Sequence, residues 1–203
     1  MNHPNHTIEL IVFDLDGTLV DSKKDIAIAV NLTLSQFGFP QLTEEEIGKH
    51  VGTGVWPLIA KTMKDLDSVE VNKAFSAFTQ NYLEHLADNT LLYKGMLEVL
   101  THYESVKKVI LTNKLNIFVE PLLRALDLKH YFVGTYGRDS FPTYKPDPLP
   151  LLEISKIHQV PLNKILMIGD TEADILAGQR AGTQTCAALY GFGDKNSVLN
   201  LKP

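Results

Sequence analysis

Three apolar stretches in this 203-residue chain each end on a polar side chain suited to phosphate chemistry. Leu10-Ile11-Val12-Phe13 runs into Asp14, Val109-Ile110-Leu111 into Thr112 and Asn113, and Ile165-Leu166-Met167-Ile168-Gly169 into Asp170. Apolar runs without polar alternation are those of strands covered on both faces, as in parallel sheets. The carboxyl ends of such strands share one edge of the sheet, and ligands bind in the crevice beside it. The pattern therefore predicts that two carboxylates, a hydroxyl and an asparagine from distant parts of the chain meet at one place. Asp16 adds a further carboxylate in Asp14-Leu15-Asp16-Gly17-Thr18, where glycine permits a tight turn.

The rest of the chain fits that frame. From Ser22 to Phe37, Ile26, Val30, Leu34 and Phe37 recur at helical spacing, and Gly38 supplies a stop. Thr43-Glu44-Glu45-Glu46 has the form of a capping box. Pro57 stands near the start of another helical stretch, and Val71, Phe75, Phe78, Tyr82 and Leu86 make a longer helical face. Residues 20–88 thus read as helical throughout, with no strand signal. Beyond Lys94-Gly95, helices near 96–104, 116–127, 148–158 and 172–181 alternate with strands near 107–112, 131–136, 164–169 and 184–189. The expected fold is α/β, a doubly wound parallel sheet with a small all-α cap domain. Residues 1–18 and 91–203 form the core domain in this reading, and residues 19–90 the cap.

Composition narrows the function. A net charge of −5 gives no reason to expect nucleic acid or an anionic membrane as partner, although local cations can still attract an anionic substrate. Cys186 is the single cysteine, so an internal disulfide and a four-cysteine zinc site are excluded, as suits a reducing cytoplasm. The polar start from Met1 to Thr7 lacks the build of a secretory signal, and no apolar run reaches the roughly 20 residues that span a bilayer. A soluble, cytoplasmic protein is expected.

Carboxylates gathered at a strand edge repel one another unless a cation lies among them. An all-oxygen donor set with few protein ligands suits Mg²⁺. Asp174 follows Asp170 by one helical turn and falls on the same side, giving metal or supporting duty. Lys145, in Tyr144-Lys145-Pro146-Asp147-Pro148, is held out of helical geometry by the proline after it. A fixed cation is needed there, because a carboxylate about 4 Å from a phosphate dianion is repelled by roughly 8 kcal/mol at an effective dielectric near 20. Thr112 and Asn113 offer a hydroxyl and a backbone N–H, or a helix N-cap. Lys114 reads as a solvated lysine. Gly52-Thr53-Gly54 could bring backbone amides to an anion, though a lone pair of glycines is also a plain helix-start loop. The seven histidines are scattered, and Trp56 and the phenylalanines read as packing. Nucleophile-elbow, Walker and dinucleotide-binding glycine motifs are absent from the sequence.

Asp14-Leu15-Asp16-Gly17-Thr18, Thr112-Asn113, Lys145 and Gly169-Asp170 with Asp174 resemble, in order, the four motifs of the haloacid dehalogenase superfamily. The resemblance covers essentially the whole chain. The helical stretch following Leu19-Val20-Asp21-Ser22 is similar to the branch with a cap after the first motif, phosphoglycolate phosphatase-like hydrolases in particular. It implies that Asp14 is a nucleophile forming an aspartyl-phosphate, and that Asp16 is the general acid and base. Asp14, Asp16 through its backbone carbonyl, and Asp170 would hold Mg²⁺, with Asp174 close by. Thr112, Asn113 and Lys145 would bind the phosphoryl oxygens. From its glycines alone, the Gly52-Thr53-Gly54 loop is expected to contact substrate.

The expected activity is hydrolysis of a small phosphorylated metabolite, by a monomer or homodimer. Alternatives are a β-phosphoglucomutase-like or pyrophosphatase activity, or a catalytically silent binding protein on the same fold. Dehalogenases and phosphonatases of this superfamily lack the second aspartate, so Asp16 implies phosphoryl transfer. The mutases carry a basic cap loop where this chain has Val51-Gly52-Thr53-Gly54-Val55-Trp56. Cap movement is expected about hinges near 19–22 and 88–93. Relatives of this branch usually continue past Leu199-Asn200-Leu201-Lys202-Pro203 with an element on the sheet edge.

Overall fold

The computed structural model describes residues 7–51, 56–63 and 67–203. Five parallel strands form its central sheet: β1 (Leu10–Phe13), β4 (Lys107–Leu111), β5 (Gly134–Tyr136), β6 (Ile165–Gly169) and β7 (Gln184–Ala187), in the order β5-β4-β1-β6-β7. β1 lies at the centre, in register with β4 from Leu10 against Lys107 and with β6 from Leu10 against Ile165. Its residues alternate between two cores. Leu10 and Val12 pack with Leu151, Ile154 and Ala177 from α7 (Leu149–His158) and α8 (Glu172–Ala181). Ile11 and Phe13 face Leu100 of α5 (Met96–His102) and Phe118 and Leu122 of α6 (Asn116–Ala125). Burial on both faces explains the unbroken apolar run of β1 and establishes the doubly wound α/β class.

Between β1 and α5 lie α1 (Lys23–Gln36), α2 (Glu44–Gly48), α3 (Trp56–Thr62) and α4 (Ser68–His85). The capping box at Thr43 forms, with Glu46 N donating to the threonine hydroxyl and Thr43 N to the glutamate. α4 begins before the apolar face starting at Val71, because Asp67 accepts from Val69 N and Glu70 N. The all-helical expectation for residues 20–88 is corrected at one point. Val20–Asp21 (β2) pairs antiparallel with Leu91–Leu92 (β3), a ribbon too short for any periodic signal. A short helix, α9 (Lys195–Asn200), packs beside α8, where Gln179 Nε2 donates to the Leu201 carbonyl at 2.6 Å. Among the described residues, no helix is long and apolar enough to cross a membrane.

Candidate active site

The ends of β1, β4 and β6 bring the motif residues together, as the sheet order requires. Asp14, Asp16, Thr112, Asn113, Lys145, Asp170 and Asp174 are all buried. Asp14, Asp170 and Asp174 each offer a carboxylate oxygen, and these atoms lie within 4.8 Å of one another. Lys145 Nζ stands 2.8 Å from Asp14 Oδ1 and 2.5 Å from Asp174 Oδ1. Asn113 Nδ2 donates to the Lys145 carbonyl at 3.0 Å, so the end of β4 braces the loop that carries the lysine. Asp174 Oδ2 accepts from Thr171 N and Oγ1, which fixes the carboxylate at the start of α8.

Three carboxylates around one ammonium leave two negative charges uncompensated in a buried site. Burial pushes the Asp14 carboxyl up to about 8; Lys145 opposes the rise, while Asp174 and Asp170 add to it. Burial, reinforced by Asp174, also raises Asp170 to about 6. Burial would lower the Lys145 ammonium, but Asp14 and Asp174 outweigh it and raise it. Without a cation the Asp14 carboxyl would keep its proton at neutral pH. A compact, all-oxygen cluster short of two positive charges fits Mg²⁺.

Asp170 rests in a cradle that reading the sequence missed. Its Oδ1 accepts from Thr18 Oγ1 at 3.0 Å, and its Oδ2 from Phe192 N at 2.7 Å and Gly193 N at 3.2 Å. Gly17 makes this approach possible. Its φ is +89°, and a Cβ there would stand 2.3 Å from Asp170 Oδ2. Gly191-Phe192-Gly193 just past β7 was the available signal, a glycine-flanked turn after a strand.

Two expectations change. Lys114 is not a solvated lysine: its side chain is 6% exposed, and Nζ lies 2.8 Å from both carboxylate oxygens of Asp16. Burial would lower that ammonium, but Asp16 and Tyr82 outweigh it and raise it. Ser22 Oγ donates to Asp16 as well, at 2.5 Å. The Asp16 carboxylate is thus committed beside the acidic cluster rather than within it, and among side chains the cluster comprises Asp14, Asp170 and Asp174. Thr112 does not cap α6, whose N-cap is Leu115; its hydroxyl accepts from Lys114 N instead. Gly52, Thr53 and Gly54 lie outside the described residues.

A cavity of about 300 Å³ has Asp14, Asp16, Thr112 and Asn113 in its wall. Much of the remainder is aromatic, from Trp56 and Phe75 to Phe78, Tyr82 and Phe118. Trp56, Phe75 and Phe78 therefore do more than pack, because the helices between β2 and β3 bring them into the wall of the cavity that holds Asp14 and Asp16.

Comparison with known proteins agrees with this geometry. Residues 11–188 match the haloacid dehalogenase-like hydrolase family. A phosphoglycolate phosphatase from Aquifex aeolicus is 38% identical over 194 residues, covering 95% of this chain and 90% of the relative. Another from Chromobacterium violaceum is 34% identical, covering 94% and 89%. The crystal structure of a predicted phosphoglycolate phosphatase from Haemophilus somnus superposes with a TM-score of 0.90 at 29% identity, covering 97% and 92%. Four ordered motifs at one sheet edge and a match over nearly the whole length lead to one conclusion: the chain belongs to the haloacid dehalogenase-like hydrolase family.

Proposed function

We propose that this chain is a Mg²⁺-dependent phosphoric monoester hydrolase working through an aspartyl-phosphate on Asp14. The observation that carries the reading is the buried cluster of Asp14, Asp170 and Asp174 with its unmet negative charge, set beside the bridging Lys145. Those three carboxylates would hold Mg²⁺, which supplies positive charge to offset repulsion between Asp14 and the phosphoryl group. Lys145 adds a fixed ammonium, while the Thr112 hydroxyl and the Asn113 backbone N–H would hold phosphoryl oxygens as charge spreads over them. The Asp14 carboxylate attacks phosphorus, the ester P–O bond breaks, and Asp16 gives its proton to the leaving alkoxide. Water then attacks phosphorus, Asp16 takes the water's proton, and the bond to Asp14 breaks to release phosphate. For the acid step the Asp16 carboxyl must exchange Lys114 for the leaving oxygen, which links turnover to movement of that lysine.

The same reading makes residues 1–18 and 91–203 the catalytic core and residues 19–90 a cap that closes over it, hinged at the β2–β3 ribbon. It puts the protein in the cytoplasm with a small phosphorylated metabolite as substrate, on the strength of relatives named phosphoglycolate phosphatases. The test is phosphate release from p-nitrophenyl phosphate with and without Mg²⁺, together with acid quenching of brief turnovers on ³²P-labelled substrate. Protein-bound label released by hydroxylamine is expected. Retention of more than a tenth of the activity in Asp14→Asn would refute the nucleophile.

A further inference from the structure

We propose that Lys114 is a specificity-determining residue that changes partners. On substrate binding it leaves Asp16 and pairs with an anionic group that the alcohol part of the substrate carries close to the ester oxygen. The inference rests on the hydrolase reading above and adds to it the residue that reads the leaving group. Lys114 lines the same cavity as Asp14, Asp16 and Thr112. Both oxygens of Asp16 are engaged by its ammonium at 2.8 Å, and Oδ1 accepts from Ser22 Oγ as well. A carboxyl gripped in this way has to give up the lysine before it can meet a leaving oxygen. The exchange falls to the lysine side chain, because its backbone is pinned on both sides. Lys114 N donates to Thr112 Oγ1 at 3.2 Å, and the Lys114 carbonyl accepts from Arg138 N at 2.9 Å.

Once released, that ammonium needs a new counter-charge. The Lys114 side chain is 6% exposed, and a buried charge left unpaired is strongly unfavourable. Tyr82, from α4, holds its ring centre 4.6 Å from Nζ, which favours a cation but carries no compensating charge. Among the described lining residues the other carboxylate is Asp14, which Lys145 already holds at 2.8 Å. An anion brought by the substrate fills the need, and it has to lie near the scissile bond. Asp16 would meet the leaving oxygen over one hydrogen bond, and Lys114 starts one such bond from Asp16. Two such bonds put the ammonium within about 6 Å of the ester oxygen, the reach of a carboxylate on the first or second carbon. An ester that brings this anion frees Asp16, so part of its binding energy is spent on the chemical step.

The test compares 2-phosphoglycolate with its amide, which differs in charge, with ethyl phosphate, and with 6-phosphooxyhexanoate, whose carboxylate is remote. Phosphate release is followed at saturating Mg²⁺. The expected kcat/KM for 2-phosphoglycolate is at least about tenfold above each of the others. In Lys114→Met the acid-to-amide ratio should fall to about threefold or less, whereas Lys114→Arg, which keeps the charge, should hold it at about fivefold or more. Lys114→Gln serves if the methionine variant misfolds. A further measurement needs no variant. 3-Phosphonopropanoate, which is not hydrolysed, should inhibit the unsubstituted protein at concentrations at least about tenfold below those needed for propylphosphonate. Equal rates for the acid and the amide would overturn the inference, as would a preference for the acid that survives in Lys114→Met. An equal fall for all four esters in that variant would assign the lysine to the phosphoryl group, and would overturn it too. Each of these results leaves the hydrolase reading intact. Release of phosphate from none of the four esters would overturn both.

Discussion

Asp14 and Asp25 are both buried carboxylates, 3% and 0% exposed, in two regions that treat them in opposite ways. Asp25, on α1, accepts from Asn89 N and Nδ2 and from Thr90 N and Oγ1, at 2.7 to 3.0 Å. Burial would raise its carboxyl, but these donors outweigh it and hold it below the usual range. Asp14, at the sheet edge, shares one lysine with Asp174, and burial with two neighbouring carboxylates drives it up. The helical region satisfies its carboxylate from backbone and side-chain donors of Asn89 and Thr90, which fastens the segment after α4 to α1. The sheet edge leaves its carboxylates short of positive charge, so the arrangement serves a ligand rather than the fold.

The sharpest break between the two would come from single substitutions. Asp14→Asn should lower kcat/KM by at least about a thousandfold, roughly 4 kcal/mol. Its melting temperature should hold or rise, because the change relieves repulsion. A fall in melting temperature larger than that of an Asp25 variant would sink the comparison. Asp25→Ala should do the reverse, losing about 3 kcal/mol in denaturant unfolding because buried N–H groups lose a charged partner. Its kcat/KM well below the melting point should stay within about twofold.

Titration sharpens the contrast further. Asp14 and Asp170 rise from an ordinary 3.8 to about 8 and about 6, so the folded, metal-free chain keeps protons that the unfolded chain has released. Their stabilising share is complete below pH 3.8 and is lost as the pH climbs through 6 and 8. Asp25 has the opposite sign, its share being present above 3.8 and lost as the pH falls through its lowered value. Melting curves should show Mg²⁺ adding about 2.7 kcal/mol near pH 8 at a hundred times its dissociation constant. At pH 5 the gain should be clearly smaller, since protons compete. A gain independent of pH would show that the cluster carries no such protons. The smallest effect is expected from Thr18→Val, which removes one donor from Asp170. About 1 kcal/mol, or roughly fivefold weaker Mg²⁺ binding by calorimetry, should result without a change of fold.

How much could be seen in advance depended on the range over which each signal acts. The strand ending at Asp14 was legible because burial on both faces forces an unbroken apolar run. The helix from Lys23 to Gln36 was legible from its period. The β2–β3 ribbon was not, since each strand has two residues and pairs across about seventy positions. Lys114 was misjudged for a similar reason. Nothing within a few residues distinguishes it from a surface lysine, and its partner Asp16 lies 98 positions away. Two of the three donors around Asp170 are backbone N–H groups, which any sequence can supply, and their alignment depends on the close packing of Gly17 and Gly193.

The sequence by itself determined which residues end the central strands, and thereby that acids, a hydroxyl and an amide share one edge, because strand burial and direction are encoded in local runs. Only the tertiary structure decided the charge balance there. It tied Asp16 to Lys114, spread Lys145 between Asp14 and Asp174, and set aromatic rings from three helices around the opening. Pairings of that kind depend on distances between segments far apart in the chain, and no local pattern records them.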